Sequence, residues 1–566
     1  MENEPPAPPT SAEPVPDSPG PRRSRRLRWV LVGSVVGCLG VGGTLLLFPP
    51  TGADRAVPPA PGPVARAATA VGAGVPAALP DLAALVADRE TYVRLHPRDA
   101  RAWTTLGAAY VEQGGRTGDP SYYVKAERAL RTALRADERW GGRGSAAHGG
   151  DAQDGRNGQA TSASSAPVTA VTAVASTPAT GGRPGSPSAA SSSPSAPSPS
   201  APSPSLSSLS SPAPDGPRNA DALVAMAALA DARADYRAAK EWGRRAVKAV
   251  PKRWSAYPAL IEAYDGLGDY KAARRTLDTL LELRADPTTM TVAAGVYRDR
   301  GWREDAAATL ADAAARAATP AERAEILVRA GELAWERGDA EQSLRYGEAA
   351  VRTDPDAPEA LAGQARALAA LGRTSEAVNA YRAALVRRPS AQYALELGEL
   401  YEALGLGGPA RVQYDLVRER VRVDAAGGVD DAVLLGQFEA EHGDVTAAVR
   451  GLREEWQRQP GIRVADALGW ALHRAGQDKE ALKFATRVMD REHGGGVRSA
   501  LYAYHRAEIE RALGRTASAR RHLEEALRIN PYFSVLRVPA AEQALAELGE
   551  PPNDPLPQGN SEEEED

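Results

Sequence analysis

A glycine recurs along the second half of the chain, at Gly268, Gly301, Gly338, Gly372, Gly405, Gly443, Gly476 and Gly514, with intervals of 33, 37, 34, 33, 38, 33 and 38 residues. Self-similarity at about 35 residues constrains the fold more than any other feature, because it implies stacked supersecondary units. Five residues after each glycine stand Ala273, Ala306, Ser343, Ala377, Ala410, Ala448, Ala481 and Ala519. Seven before stand Ile261, Ala294, Gly331, Ala365, Gly398, Gly436, Gly469 and Ala507, so that Ile261 alone is large. Pro355, Pro389, Pro460 and Pro531 follow four of the glycines by seventeen residues. The spacing predicts helical hairpins. Glycine takes the left-handed turn that ends the first helix, and Asp269, Asp339 and Asp444 cap the second. Small residues let the two axes approach, larger ones such as Leu260, Tyr264 and Leu277 fill the rest, and proline stops the second helix.

This pattern resembles the tetratricopeptide repeat (TPR) family, in membrane-anchored proteins of the kind found in high-GC Gram-positive bacteria. Trp103, Leu106, Gly107 and Tyr110 match its signature in an early unit, followed by Ala126, Leu130 and Ala133. Pro358–Ala391 is the fullest unit, with Leu361, Ala365, Leu368, Ala377, Tyr381, Ala384 and Pro389 in register. Ten units are expected, from Ala100, Ala220, Trp254, Pro287, Ala324, Pro358, Ala391, Val429, Ile462 and Ala500, with a capping helix at Pro539–Leu548. The unit at Ala220 has Ala234 in place of the turn glycine. The resemblance implies an all-α, α-α superhelical solenoid whose first helices line a concave binding face.

Residues 29–48 carry no charge, follow Arg22, Arg23, Arg25, Arg26 and Arg28, and are long enough for one transmembrane helix. The positive-inside rule then keeps residues 1–28, a disordered basic tail, in the cytoplasm and sends the rest across the membrane. Cys38, the only cysteine, ends a lipobox-like Val35-Val36-Gly37-Cys38, so lipidation is an alternative, and Thr51-Gly52-Ala53 offers cleavage as another. Gly33 and Gly37 form a GxxxG that could pair two membrane helices into a homodimer.

Residues 49–80 read as a Pro/Ala-rich spacer, 81–140 as an N-terminal helix and the first unit, and 141–217 as a disordered Ser/Pro/Ala/Gly-rich loop. Residues 218–549 hold the main array and 550–566 an acidic tail. The loop leaves open whether the first unit stacks on the others.

The net charge is −5, and the tail alone holds six carboxylates, so the body is near neutral and no nucleic-acid partner is expected. Only seven of the 68 basic residues are lysine. One cysteine excludes an intramolecular disulfide and Cys₂ or Cys₄ metal sites. No phosphate-loop, HExxH, GxSxG or EF-hand motif occurs, and the seven histidines share no ligand spacing, so neither enzyme activity nor a cofactor is expected. The expected function is a scaffold binding protein or peptide partners outside the membrane. The alternative is a receptor-like sensor relaying through a paired membrane helix. By family analogy the concave face presents Glu325, Glu332, Glu336, Glu359, Glu399 and Glu402 in the middle units. The last units offer Trp470, His473, Arg474 and Tyr504, with His505 beside them.

Overall fold

A computed structural model describes residues 60–146, 219–490 and 496–549. The proposed membrane helix 29–48, with Gly33, Gly37 and Cys38, lies outside the described residues, as do 147–218 and 550–566. Among the described residues there are 23 α-helices and no strand, and no helix is long and apolar enough to cross a membrane.

Two helices, α1 (Pro63–Ala73) and α2 (Leu79–Leu95), lead into ten hairpins. These are α3/α4 (Ala100–Thr117, Ser121–Ala146), α5/α6 (Ala220–Ala232, Tyr236–Ala249), α7/α8 (Pro258–Gly266, Tyr270–Leu283), α9/α10 (Pro287–Asp299, Arg303–Arg316) and α11/α12 (Pro320–Glu336, Ala340–Thr353). They continue as α13/α14 (Pro358–Ala370, Thr374–Arg387), α15/α16 (Ala391–Ala403, Gly407–Ala426), α17/α18 (Ala432–His442, Val445–Arg458), α19/α20 (Ile462–Arg474, Asp478–Met489) and α21/α22 (Ala500–Ala512, Thr516–Ile529). The helix α23 (Arg537–Glu547) closes the array, starting two residues earlier than Pro539 suggested.

The residues five after each turn glycine and seven before it are all buried. Where glycine stands before the turn the helices touch: a Cβ at Gly398 would lie 2.5 Å from the Tyr414 ring. Seven of the eight turn glycines are left-handed, with φ between 71° and 80°. Gly443 departs from that expectation at φ −147°, because α17 ends there with the Glu439 side chain folded against the turn. Ala234 takes the left-handed turn itself at φ 55°, which costs a residue with a Cβ about 1–2 kcal/mol. The expected aspartate caps form: Asp269, Asp339 and Asp444 each accept the backbone N–H three residues on.

Two sequence expectations change. The stretch read as a spacer contains α1, whose Ala67 is buried against α2 and α3, and α1 is fixed by Arg66 to Asp81 at 2.6 Å. Helix α4 runs to Ala146, six residues into the stretch read as a loop. The first hairpin stacks directly on the second, since Ala225, Met226 and Leu229 of α5 share a core with Leu106, Ala109, Ala126 and Leu130.

The solenoid also winds back on itself. The turn of each early hairpin meets the loop that precedes the hairpin six places later. Arg388 Nη1 donates to Gly115 O (3.1 Å) and Arg420 to Gly118 O (3.0 Å), joining the first hairpin to the seventh. Asp430 N donates to Arg233 O (2.8 Å), joining the second to the eighth. Gln459, buried at the same seam, accepts from Tyr236 N (2.7 Å) and donates to Ala234 O (3.0 Å). These bonds hold the strained Ala234 turn in place. Gly268 meets Pro460, Gly301 meets Gly496, and Asn530 Nδ2 donates to Trp335 O (2.8 Å). A turn of the superhelix therefore takes about six hairpins, and the seam between turns encloses the concave face.

Candidate functional site

The concave face is built by the first helices. Glu112 (α3), Asp231 (α5), Glu262 and Asp265 (α7), Asp299 (α9), and Glu325, Glu332 and Glu336 (α11) feel one another across it. Arg298 and Arg329 stand among them, and Tyr502 of α21 senses Asp299 and Glu336 from the other superhelical turn. Residues of both turns thus border one acid-rich channel.

Asp231, Asp265, Glu112 and Glu336 are each partly buried, and neighbouring carboxylates add repulsion that raises the cost of ionising them. Burial and then Glu262 push Asp231 up to about 8, with Arg329 opposing. Burial, Asp299 and the hydrogen bond they share hold Asp265 well above the usual carboxylate range. Burial raises Glu336, opposed chiefly by Arg298, and raises Glu112, opposed by the Ala77 N–H. Further along, Arg366 and Glu396 pair at 2.8 Å while Tyr381 donates to the same carboxylate at 2.9 Å.

One consequence is a pH-dependent stability. Folded Asp231 keeps a proton up to about pH 8, whereas the unfolded chain releases it near pH 4. The folded state therefore binds the extra proton between those values, and stability falls as pH rises through that window. Asp231→Asn removes this contribution, so its melting temperature will drop less between pH 5 and pH 8 than that of the parent chain. Parallel melting curves across that range would contradict the assignment.

The glutamates expected on the concave face divide. Glu325, Glu332 and Glu336 border the channel. Glu359 is drawn into the seam by Arg388 at 2.5 Å. Glu399 and Glu402 flank His442 at 3.6 and 3.4 Å, and Tyr414 donates to Glu402 at 2.5 Å. The aromatic candidates are not on an open groove. Trp470, Tyr504 and His505 are 3%, 3% and 5% exposed, and the two larger rings belong to the core. Trp470 stacks on His505 at 4.2 Å and lies 5.9 Å from Tyr504, while His505 faces Asp466 at 3.0 Å. His473 pairs with Asp478 at 2.6 Å, and Arg474 reaches Ala440 O.

What covers these rings is the chain's own C-terminal segment. Phe533 packs on Tyr504 at 5.5 Å, and Arg537 binds Glu441, which also accepts from the Trp470 indole. Arg537 is also drawn toward Glu399 and Glu402. Sequence reasoning missed Arg537 because it lies in the cap, outside the repeat positions read. It also missed Glu112, Asp231, Glu262, Asp265 and Asp299. These occupy the same positions in the earlier units, nine, twelve or thirteen residues into each, so the pattern that gave Glu332 and Glu336 could have found them.

Among the described residues no group of three or more His, Cys, Asp or Glu side chains is arranged to hold a metal ion. No protein-family model and no curated protein matches the sequence. Among solved structures the chain is similar to a tetratricopeptide repeat protein from Parabacteroides merdae, at 15% identity over 46% of this chain and 98% of that one, with a TM-score of 0.29. It is similar to pilF of Pseudomonas aeruginosa at 19% identity, over 35% of this chain and 90% of that one (TM-score 0.30). A human IFIT1 dimer with PPP-AAAA is similar at 14% identity, over 55% of this chain and 72% of that one (TM-score 0.34). The class its own helices define is an all-α solenoid of TPR-like hairpins.

Proposed function

We propose that this chain is a non-enzymatic scaffold, anchored by residues 29–48 with its N-terminus cytoplasmic and its repeat array outside the membrane. Its partners are proteins that present extended, arginine- or lysine-bearing segments to the acidic channel. The observation that carries the reading is the excess of carboxylates over the arginines among them, Arg116, Arg298, Arg303 and Arg329, along one face. A cationic segment entering it relieves their repulsion, while an acidic one is excluded.

The test uses the full chain and a fluorescent arginine-rich peptide carrying one tryptophan. The parent protein binds it, and Glu332→Lys with Glu336→Lys weakens binding at least tenfold, about 1.4 kcal/mol. Equal binding by a correctly folded variant removes the channel as the docking site. In cells, Ser200→Cys will react with an impermeant maleimide before lysis. Reaction only after lysis would defeat the proposed location without touching the channel result.

A further inference from the structure

The outer layer carries a site of the opposite sign. Between α6, α7 and α8 lies a cavity of about 590 Å³ bordered by Arg244, Arg245, Lys248 and Arg275, with Tyr257 and Tyr264 against it. All four cations are exposed, while Tyr257 is buried and Tyr264 half-buried. Among the described residues no carboxylate pairs with any of the four, and Arg245 makes only a ring contact, 4.3 Å above Trp242. Two neighbouring arginines differ. Arg274, next to Arg275, pairs with Asp278 at 2.9 Å, and Arg253 pairs with Asp221. Glu241 is the one carboxylate on α6 and stands three and four residues before Arg244 and Arg245, yet bridges to neither.

Residue choice points the same way. The chain uses arginine almost everywhere and lysine seven times, yet four of the seven lysines, Lys240, Lys248, Lys252 and Lys271, fall within one 32-residue stretch, and Lys248 borders the cavity. Arg244, Arg245 and Lys248 share a face of α6 by helical spacing, and Arg275 approaches from α8. Four like charges converging on a small volume repel one another, and a ligand that neutralises them removes that cost.

We propose that this cavity is a binding site for a phosphoryl group, with the tyrosine rings beside it taking the group's organic carrier. Phosphoryl fits better than carboxylate for a reason of charge density. One phosphate ester or pyrophosphate places several negative oxygens within the cavity and meets planar guanidinium forks with two bonds each. A glutamate side chain brings one carboxylate, and a run of them spreads beyond a cavity of this size. The size itself lies in the range of small-molecule sites. A free phosphorylated compound and an anionic lipid headgroup both supply this chemistry, and the experiment separates them.

Titration of the full chain with inorganic pyrophosphate, followed by calorimetry, tests the site. One saturable site is expected, weakened at least tenfold by Arg244→Ala with Arg275→Ala. Both residues are exposed, and unchanged helicity and melting temperature verify the fold. Lys248→Glu alone should weaken binding in the same direction. Flotation with phosphatidylglycerol vesicles, but not phosphatidylcholine vesicles, that pyrophosphate reverses assigns the source to lipid. Pyrophosphate binding without flotation assigns it to a free compound, and both support the proposal. Absence of saturable binding, or equal binding by the double variant, overturns it. So does tighter binding of a poly-glutamate peptide through the same residues, which would make the cavity a dock for acidic protein.

Discussion

Trp470→Ala will destabilise the C-terminal hairpins by about 3–5 kcal/mol, the cost of emptying a buried indole site. The ring is 3% exposed and is held between His505 at 4.2 Å and Tyr504 at 5.9 Å. Its indole N–H also helps to satisfy Glu441, which otherwise depends on Arg537. Because repeat arrays unfold by neighbouring units, the loss should show first in α17 to α23 as faster hydrogen exchange and an earlier urea transition. Trp302→Ala serves as the comparison. That ring is 41% exposed, contacts Tyr297 at 5.8 Å, and should cost about 1 kcal/mol or less. If Trp470→Ala melts like the Trp302 variant, the indole is not core, and the groove reading made from sequence returns.

That reversal of Trp470 shows where sequence reasoning succeeds and where it stops. Hairpin number and phase were legible because glycine at a left-handed turn and small residues at a helix crossing are local requirements, met every 33 to 38 residues. Glu332 and Glu336 were legible for the same reason, since helix position within a repeat decides which face a side chain takes. Trp470 occupies an equivalent position but is covered by Arg537 of α23, while Phe533, just before α23, covers the neighbouring Tyr504, and no repeat position announces either contact. Helix α1 was missed because its alanines and valines carry no repeat signature, and its burial depends on α2 and α3. The pitch was missed altogether. It rests on pairs such as Tyr236 with Gln459 and Asn530 with Trp335, 223 and 195 residues apart, and no period in the sequence announces them.

The pitch is testable through Gly461. Its backbone, at φ −83° and ψ 168°, is extended and open to any residue, so a substitution there adds no conformational strain. What forbids a side chain is the other superhelical turn, since a Cβ at 461 would run into the carbonyl oxygen of Gly266. Gly268 nearby is similarly close, its own Cβ position lying 3.2 Å from Pro460 O. Gly461→Val therefore drives a branched side chain into backbone that cannot yield, and the seam must open between the third and ninth hairpins. The core shared by successive hairpins lies away from this seam, so helicity should hold while the radius of gyration from solution scattering increases. Stability should fall by about 1–3 kcal/mol, as for overpacked cores. Opening the seam also widens the channel and hydrates its carboxylates, which lowers the pKa of Asp231 toward the ordinary range and flattens the pH dependence of melting. Gly476→Ala isolates the seam from ordinary turn strain. Gly476 has φ +73°, but a methyl group there would meet nothing within 4 Å, so alanine should cost about 1 kcal/mol and leave the scattering unchanged. Should Gly461→Val scatter and melt like the parent chain, the two turns are not in contact, and the enclosed channel, with the docking mode built on it, falls.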